Sequence, residues 1–165
     1  MARARLVCER TAGLLFWSTL LAVAMVLLAL PAPAAAAIVP QRGIGGVTLG
    51  MTNAAVRSTA GSPIRVRNGT NEFGAYRIVF YPTFQVTFQG LGRVTGVSTV
   101  SPAQRTARGI GVGSTKAQVQ ARVAGVVCEP GDCHVGALLP GRRVTSFILG
   151  ANGRVTRVVV GFVID

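Results

Sequence analysis

Short stretches after residue 70 alternate between apolar and polar positions, which is the pattern of strands with one buried face. Two such stretches flank Pro82, and their apolar positions are Tyr76, Ile78, Phe80, Phe84, Val86 and Phe88. A Gln-Gly-Leu-Gly turn leads into a third stretch over residues 93–100. The pattern predicts a three-stranded antiparallel meander beneath a helix, with Tyr76, Phe84 and Phe88 in the core.

The C-terminal part carries a similar pattern in a hairpin. A strand over residues 145–149 leads through Gly150-Ala151-Asn152-Gly153 into residues 154–164, and Asn-Gly supplies the positive φ angles of a tight hairpin. From Val158 to Ile164 the last strand is apolar on both faces, which favours a central position where the sheets of the two halves meet. Residues 134–139 show a weak pattern and are predicted to be irregular.

Two short helices are predicted to precede these strands. Thr52 and Thr115 are good N-caps because a hydroxyl accepts from the free amides of the first turn, and Gln118 completes a capping box. Gly61 and Gly125 are the predicted helix ends. Helices of eight or nine residues are not stable alone in water, so each must pack on a sheet. The docking residues would be Val56 and Ala60 in the first helix, and Val119 and Val123 in the second.

These signals recur along the chain. Residues 50–57 return at 113–120, an offset of 63, and residues 92–95 return at 153–156, an offset of 61. Two matches in the same order predict a duplicated unit. We therefore predict an α+β fold of two tandem repeats, over 43–100 and 109–165, joined by a linker over 101–108. Each repeat would be a short helical segment on an antiparallel three-stranded meander.

The first 37 residues have the order of a secretory signal. Three arginines precede an apolar run over residues 14–30, and a stretch rich in Pro and Ala follows. Ala35 and Ala37 are the small residues that a signal peptidase requires, so we predict a signal peptide over 1–37 and a mature N-terminal segment over 38–42, beginning at Ile38. The expected location is secreted, periplasmic or elsewhere in the cell envelope. An uncleaved run would instead anchor the chain in a membrane.

The chain is strongly basic. It has 17 Lys and Arg against 5 Asp and Glu, a net charge of +12 at pH 7, and without residues 1–37 the charge is +10. A positive field favours anionic partners such as envelope polymers, lipid head groups or acidic protein surfaces. The arginines are mostly single, with one doublet at Arg142-Arg143, which is more typical of a solvated surface than of a dedicated polyanion site.

Two cysteines remain after the signal, Cys128 and Cys133, separated by Glu-Pro-Gly-Asp. In an oxidising compartment so close a pair predicts a disulfide, with Pro130-Gly131 at the centre of a type II turn. The alternative is a metal site that adds the adjacent His134. A closed zinc site needs four ligands and no second cluster supplies one, so we predict no metal and no cofactor.

Three motifs resemble the unit of the small outer-membrane assembly lipoproteins. They are a helix start Gly-Met-Thr-x-x-x-Val over 50–56, a helix end Gly-x-Pro over 61–63 and a strand start Gly-Arg-Val at 92–94. The tandem form is similar to the β-lactamase inhibitor protein family. The resemblance covers most of residues 43–165 and implies an exported α+β protein whose sheets face a protein partner or brace an envelope complex. The chain lacks the lipidated cysteine of the lipoproteins, and it is more basic than the inhibitors.

Few residues in the mature chain suit catalysis. Its titratable acid–base candidates are Glu72, Glu129, Asp132, His134 and Asp165. Neither glycine-rich stretch, 43–46 nor 109–113, contains the lysine of a phosphate-binding loop, so we expect both to be segments that lead into a helix. We therefore expect a non-enzymatic protein. An enzyme would have to bring Asp132 or Glu72 together with His134 in a deep pocket.

The predicted function is an exported binding module whose partner is another exported or envelope protein. The alternative is a basic surface module that binds an anionic envelope polymer or lipid head groups. We expect no nucleic-acid partner because the chain is exported, and a membrane contact only if the signal segment stays uncleaved.

Overall fold

The structure is a computed structural model that describes residues 37–90 and 92–164, so the predicted signal peptide lies outside the described residues except for Ala37. In chain order, the elements of the described part are β1 (Ile38–Val39), β2 (Gly43–Ile44), β3 (Val47–Thr48), α1 (Asn53–Ala60), β4 (Arg65–Asn71), β5 (Gly74–Phe80), β6 (Gln85–Gln89), β7 (Val94–Thr99), α2 (Lys116–Arg122), β8 (Val126–Glu129), β9 (Asp132–Val135), β10 (Arg143–Leu149) and β11 (Val155–Phe162).

Eight of these strands form one antiparallel sheet in the order β4-β5-β6-β7-β11-β10-β9-β8. The two halves of the chain contribute four neighbouring strands each, and they meet where β7 pairs with β11. The apolar pattern of the last strand had predicted this central position, and the prediction is confirmed. Helices together with antiparallel sheets confirm the α+β class.

The helix starts are as predicted. Thr52 Oγ1 accepts from the Ala55 amide at 3.3 Å, and Thr115 Oγ1 accepts from the Gln118 amide at 3.2 Å. Gln118 Oε1 in turn accepts from the Thr115 amide at 2.9 Å, which completes the capping box. Each helix buries one valine fully, so both are anchored by packing rather than by intrinsic stability.

One of the two predicted helix ends is wrong. Gly61 caps α1 with a φ of 78°, as predicted. α2, however, ends at Arg122, three residues before Gly125, and Val123 is its C-cap in an extended conformation. The physical reason is burial, because the Val123 side chain is only 8% exposed and turns into the core.

The segment before each helix is hydrogen-bonded to the residues at the start of the last strand in the same half. Arg93 donates to the Gly50 carbonyl and Arg154 to the Gly113 carbonyl, each at 3.0 Å. Beside these bonds, the amide of Gly50 donates to Val94 at 2.8 Å and that of Gly113 to Val155 at 2.7 Å. The two sequence motifs that recur along the chain are therefore in direct contact within each half.

Each half contributes four strands to the large sheet rather than the predicted three. β4 and β8, the two edges of the sheet, carried no clear alternating pattern in the sequence. β9 is a regular strand that overlaps the region predicted to be irregular, and only the residues after Val135 form a loop. β8 and β9 are regular because they pair with each other and β9 pairs with β10.

The turn between β10 and β11 also differs from the prediction. Gly153 has a φ of 69°, but Gln41 is the only non-glycine residue with positive φ in the described part of the chain, so Asn152 has negative φ. The predicted hairpin is present, because β10 pairs with β11 and the connection covers residues 150–154, but only Gly153 of the Asn-Gly pair supplies a positive φ. Asn152 Oδ1 stabilises the connection by accepting from the Arg154 amide at 3.1 Å.

The glycine-rich stretch 43–46, which was predicted as helix lead-in, belongs to a second sheet made of β1, β2 and β3. Ile38, Ile44 and Val47 are buried there. The predicted cleavage point lies directly before β1, and the Ile38 amide donates to the Arg105 carbonyl at 2.9 Å. The N-terminal segment and the linker over 101–108 therefore hold each other in place.

The core lies on one face of the large sheet. Val86, Val97, Val158 and Phe147 point into it and are almost completely buried. The small sheet packs over β7 and β11, and α2 packs over β8 and β9. No helix within 37–90 and 92–164 has the length and apolar character needed to cross a membrane.

Replacing Gly113 tests how much each half depends on the segment before its helix. Gly113 has a φ of 89°, and a Cβ there would meet nothing within 4 Å, so Gly113→Ala adds backbone strain without a clash. We expect the free energy of unfolding in urea to fall by about 1–2 kcal/mol. Gly96→Ala, at a strand position with ordinary contacts of 3.8 Å, is the control and should change stability little. Equal losses of stability in Gly113→Ala and Gly96→Ala would contradict the expected backbone strain at Gly113.

Candidate binding face

The second face of the large sheet points away from the core, and in the part of the chain that the structure describes most of its residues are at least partly exposed, apart from Ser98, His134 and Gly161. One row of residues crosses all eight strands in register: Arg65, Phe80, Gln85, Ser98, Val159, Ser146, His134 and Val127. A neighbouring row crosses six strands: Arg67, Ile78, Thr87, Gly96, Gly161 and Val144. We call these two rows, together with Tyr76, Glu129, Asp132, Ile148 and Arg157 on the same side, the open face.

The open face exposes apolar side chains between polar ones. Val127 and Ile148 are 55% and 37% exposed, and Phe80 and Val159 are half-buried. Two glycines, Gly96 and Gly161, face each other at the centre. An apolar surface of this kind, on a rigid sheet, is typical of an interaction site.

The sequence predicted the wrong face for β5. Tyr76 was expected in the core, but Val79, only 3% exposed, is the residue that points inward, while Tyr76, Ile78 and Phe80 lie on the open face. Residues 76–80 are apolar at four of five positions, so alternation alone does not choose between the faces. The register does, because Val79 is paired with the buried Val86.

The aromatic predictions for β6 were better. Phe88 is buried, and Phe84 is half-buried and packs against the core, where its ring stacks on Tyr81 with the centroids 5.1 Å apart. These rings are therefore not available as a stacking surface for bases.

The two ends of the open face carry opposite charge. Arg65 and Arg67 lie on β4, and the Arg65 guanidinium sits 4.1 Å from the centre of the Phe80 ring. Asp132 and Glu129 lie at the opposite edge, on β9 and β8. A partner therefore meets a basic end and an acidic end, which would fix its orientation.

A pocket of about 280 Å³ opens where the basic half meets the centre of the face. Its lining includes Phe80, Gln85, Ser98 and Arg157, and Gln85 donates to Ser98 Oγ at 3.0 Å. Among the described residues the Arg157 side chain forms no hydrogen bond or ion pair. The pocket therefore offers a guanidinium and an aromatic ring to a side chain of a partner.

The residues that an enzyme would need are only partly brought together. His134 is 7% exposed, and its Nδ1 lies 3.6 Å from Asp132 Oδ2. Ser146 is paired with His134 across β9 and β10, but among the described residues its hydroxyl forms no hydrogen bond with the imidazole. In a nucleophilic triad the imidazole occupies the middle position. Glu72 lies in the turn after β4, at the other edge of the sheet, and is not part of this cluster.

Burial raises the pKa of the Asp132 carboxyl above its usual range, and the negative charge of Glu129 adds to this effect. His134, the Ser146 hydroxyl and the Cys133 amide act in the opposite direction but do not outweigh the burial. The folded protein therefore holds the proton of Asp132 more tightly than the unfolded chain does, and ionisation of Asp132 reduces stability.

Asp132→Asn should therefore stabilise the protein at pH 7, because it removes a partly buried charge and keeps the shape of the side chain. The advantage should shrink as the pH falls and disappear below about pH 4, where the carboxyl is protonated in both states. Thermal unfolding at several pH values measures this. Glu72→Gln, which removes an exposed carboxylate, is the control. A stabilisation that does not depend on pH would contradict the assignment.

The predicted disulfide is present. Cys128 and Cys133 are paired directly across β8 and β9, and their sulfur atoms lie 2.00 Å apart. Gly131 has a φ of 84°, as the third position of a type II turn requires.

Loss of this disulfide should cost about 2 kcal/mol, since the closed loop is short. We expect the Cys128→Ala/Cys133→Ala variant to unfold at lower urea concentration than the wild type. Wild-type protein in reducing agent is the matched control and should approach the stability of the variant. A wild-type midpoint that reductant leaves unchanged would mean that the bridge does not contribute.

Comparisons with known proteins leave the family open. The chain matches no protein-family model and no curated protein. Its fold is similar to the crystal structure of a DUF4309 family protein (YjgB) from Bacillus subtilis, with a TM-score of 0.44 and 14% identity over 77% of this chain and 88% of that one. The function has to be argued from the open face.

Proposed function

We propose that this chain is an exported, non-enzymatic binding module that holds another exported or envelope protein on its open face. The observation that carries the proposal is the row of residues that crosses all eight strands. One face of the sheet is covered by helices and by the small sheet, whereas the other presents half-exposed apolar residues on a rigid surface. Burying such residues against a partner is the main favourable term in protein association.

We also infer that the two halves are tandem copies of one unit. In both halves an arginine of the last strand binds the glycine before the helix, and the strand order is symmetric about the β7–β11 pair. Register shifts occur in β6 at Thr87/Phe88 and in β10 at Ile148/Leu149, again with an offset of 61 residues. Duplication would double the width of the sheet and thereby create an open face large enough for a protein.

The partner should be acidic where it meets β4. Arg65 and Arg67 have no ion pair within the described ranges, and neither does Arg157 beside the central pocket. The net charge of +10 for residues 38–165 would draw an acidic protein toward the face. This partner chemistry fits the resemblance to families whose sheets face other proteins.

Two features support export. The first 37 residues have the order of a signal peptide, and disulfides persist mainly in oxidising compartments outside the cytosol. The Cys128–Cys133 pair at bonding distance is consistent with such a compartment.

The alternative, a basic surface for an anionic polymer or lipid, would be expected to place free arginines on one side. Arg93, Arg105 and Arg154 instead donate to backbone carbonyls, so part of the positive charge serves the fold. Salt separates the two hypotheses, because polymer binding to a basic surface weakens steeply with ionic strength.

The proposal is tested with the chain from Ile38 as bait in envelope and medium fractions of the producing organism. Val127→Asp and Ile148→Asp place a charge on the open face and should weaken capture of the partner about tenfold or more, as loss of a buried apolar contact does. Leu138→Asp, in the loop after β9, is the control because Leu138 is 53% exposed and Val127 is 55% exposed.

One protein that is retained by wild type and Leu138→Asp through a high-salt wash, and lost from both open-face variants, is the expected result. Capture of polymer or lipid that salt releases would favour the alternative. Equal capture by all four proteins would contradict the assignment of the open face.

A further inference from the structure

A second pocket lies on the helix side of the sheet, away from the open face. Its volume is about 280 Å³, and three arginines line it: Arg105, Arg122 and Arg154. Gln118 and Ser114 complete its polar lining, and none of the lining residues, all within the described part of the chain, carries a carboxylate. We call it the arginine pocket.

Two of the three arginines are held in position by the backbone. Arg105 Nη1 donates to the Gly109 carbonyl at 2.9 Å and its Nη2 to the Val112 carbonyl at 3.2 Å, while Arg154 Nη1 donates to Gly113 at 3.0 Å. A guanidinium has five N–H donors, so each of these side chains keeps several for a ligand. Their positions are fixed before any ligand arrives, which reduces the entropy lost on binding.

Arg122 differs from the other two. It lies one helical turn beyond Gln118 on the same side of α2, and its side chain has no hydrogen bond within the described residues. Gln118 uses its oxygen in the capping box, so its amide NH₂ remains as a donor.

The arginine pocket does not follow from the architecture that the two halves share. At the offset of 63 residues, the first half has Thr59 where the second has Arg122. The Thr59 hydroxyl is used within α1, where it donates to the Ala55 carbonyl at 3.0 Å. The third arginine is therefore specific to the second half.

We propose that the arginine pocket binds a tetrahedral oxyanion, either free phosphate or the phosphoryl group of a lipid head group. Its side chains offer mainly N–H donors and an excess of positive charge, which suits a ligand that only accepts hydrogen bonds. Guanidinium groups bind phosphoryl oxygens in a bidentate geometry that lysine does not provide. The site goes beyond the proposed function, because it lies on the other side of the sheet and takes a different kind of ligand.

The test titrates the chain from Ile38 with inorganic phosphate in a calorimeter, at an ionic strength held constant with sodium chloride. Wild type should show saturable binding, and Arg122→Ala should bind about tenfold more weakly, because it loses a charge-assisted hydrogen bond. Arg122→Lys keeps the charge and should lose less than Arg122→Ala.

Arg57→Ala is the matched control. Arg57 and Arg122 are both exposed arginines in the last turn of their helices, so the two variants change net charge and helix electrostatics equally. Arg57→Ala should bind phosphate like wild type, and near-ultraviolet circular dichroism should show that both variants fold. Equal weakening in the two variants, or no saturable binding of phosphate or of vesicles, would overturn the proposal.

Sedimentation with vesicles identifies the source of the phosphoryl group. Binding to phosphatidylcholine vesicles that contain phosphatidic acid, lost in Arg122→Ala but not in Arg57→Ala, would identify a lipid head group. Binding of free phosphate with the same dependence, and no sedimentation with vesicles, would identify a soluble phosphate. Val127→Asp on the open face should leave either result unchanged, so failure of this site and failure of the proposed function are distinguishable.

Discussion

The pairing of β7 with β11 is the interaction on which the rest of the structure depends. It places Val97 opposite Val160 and Thr99 opposite Val158, and all four side chains are buried. Without it each half would be a four-stranded meander with one short helix, which has too little apolar surface to form a stable core alone. With it, the small sheet of β1 to β3 packs across β7 and β11 and covers the joint.

The same pairing produces the open face. The helices and the small sheet all lie on one side, so the other side of the eight-stranded sheet points away from the core. Successive side chains of a strand point to opposite faces, so residues paired across the strands point to the same side. On this side they form a continuous row from Arg65 to Val127. Because residues from both halves contribute to this row, the face depends on correct joining of the halves, and a change at the joint would alter binding as well as stability.

Predictions from the sequence were correct where a local rule allows only one conformation. Thr115 with Gln118 has a defined capping geometry, and Cys128 and Cys133 flank a turn that brings them together. The predictions were poor where tertiary context decides. β5 is apolar on both faces, and only its register with β6 shows that Val79, rather than Tyr76, is buried. The short strands β1 to β3 carry almost no periodic signal, because two residues cannot display one.

The arginines show why net charge alone does not identify a site. Arg93 and Arg154 occupy corresponding places in the two halves and bind backbone carbonyls, so their role is to hold the helix start against the last strand. Arg65 and Arg157 lie on the open face without an ion pair among the described residues. The sequence shows these arginines alike, as single residues among apolar neighbours. Only the backbone contacts show which guanidinium groups are held in a fixed position, as in the arginine pocket, and which are not, as on the open face.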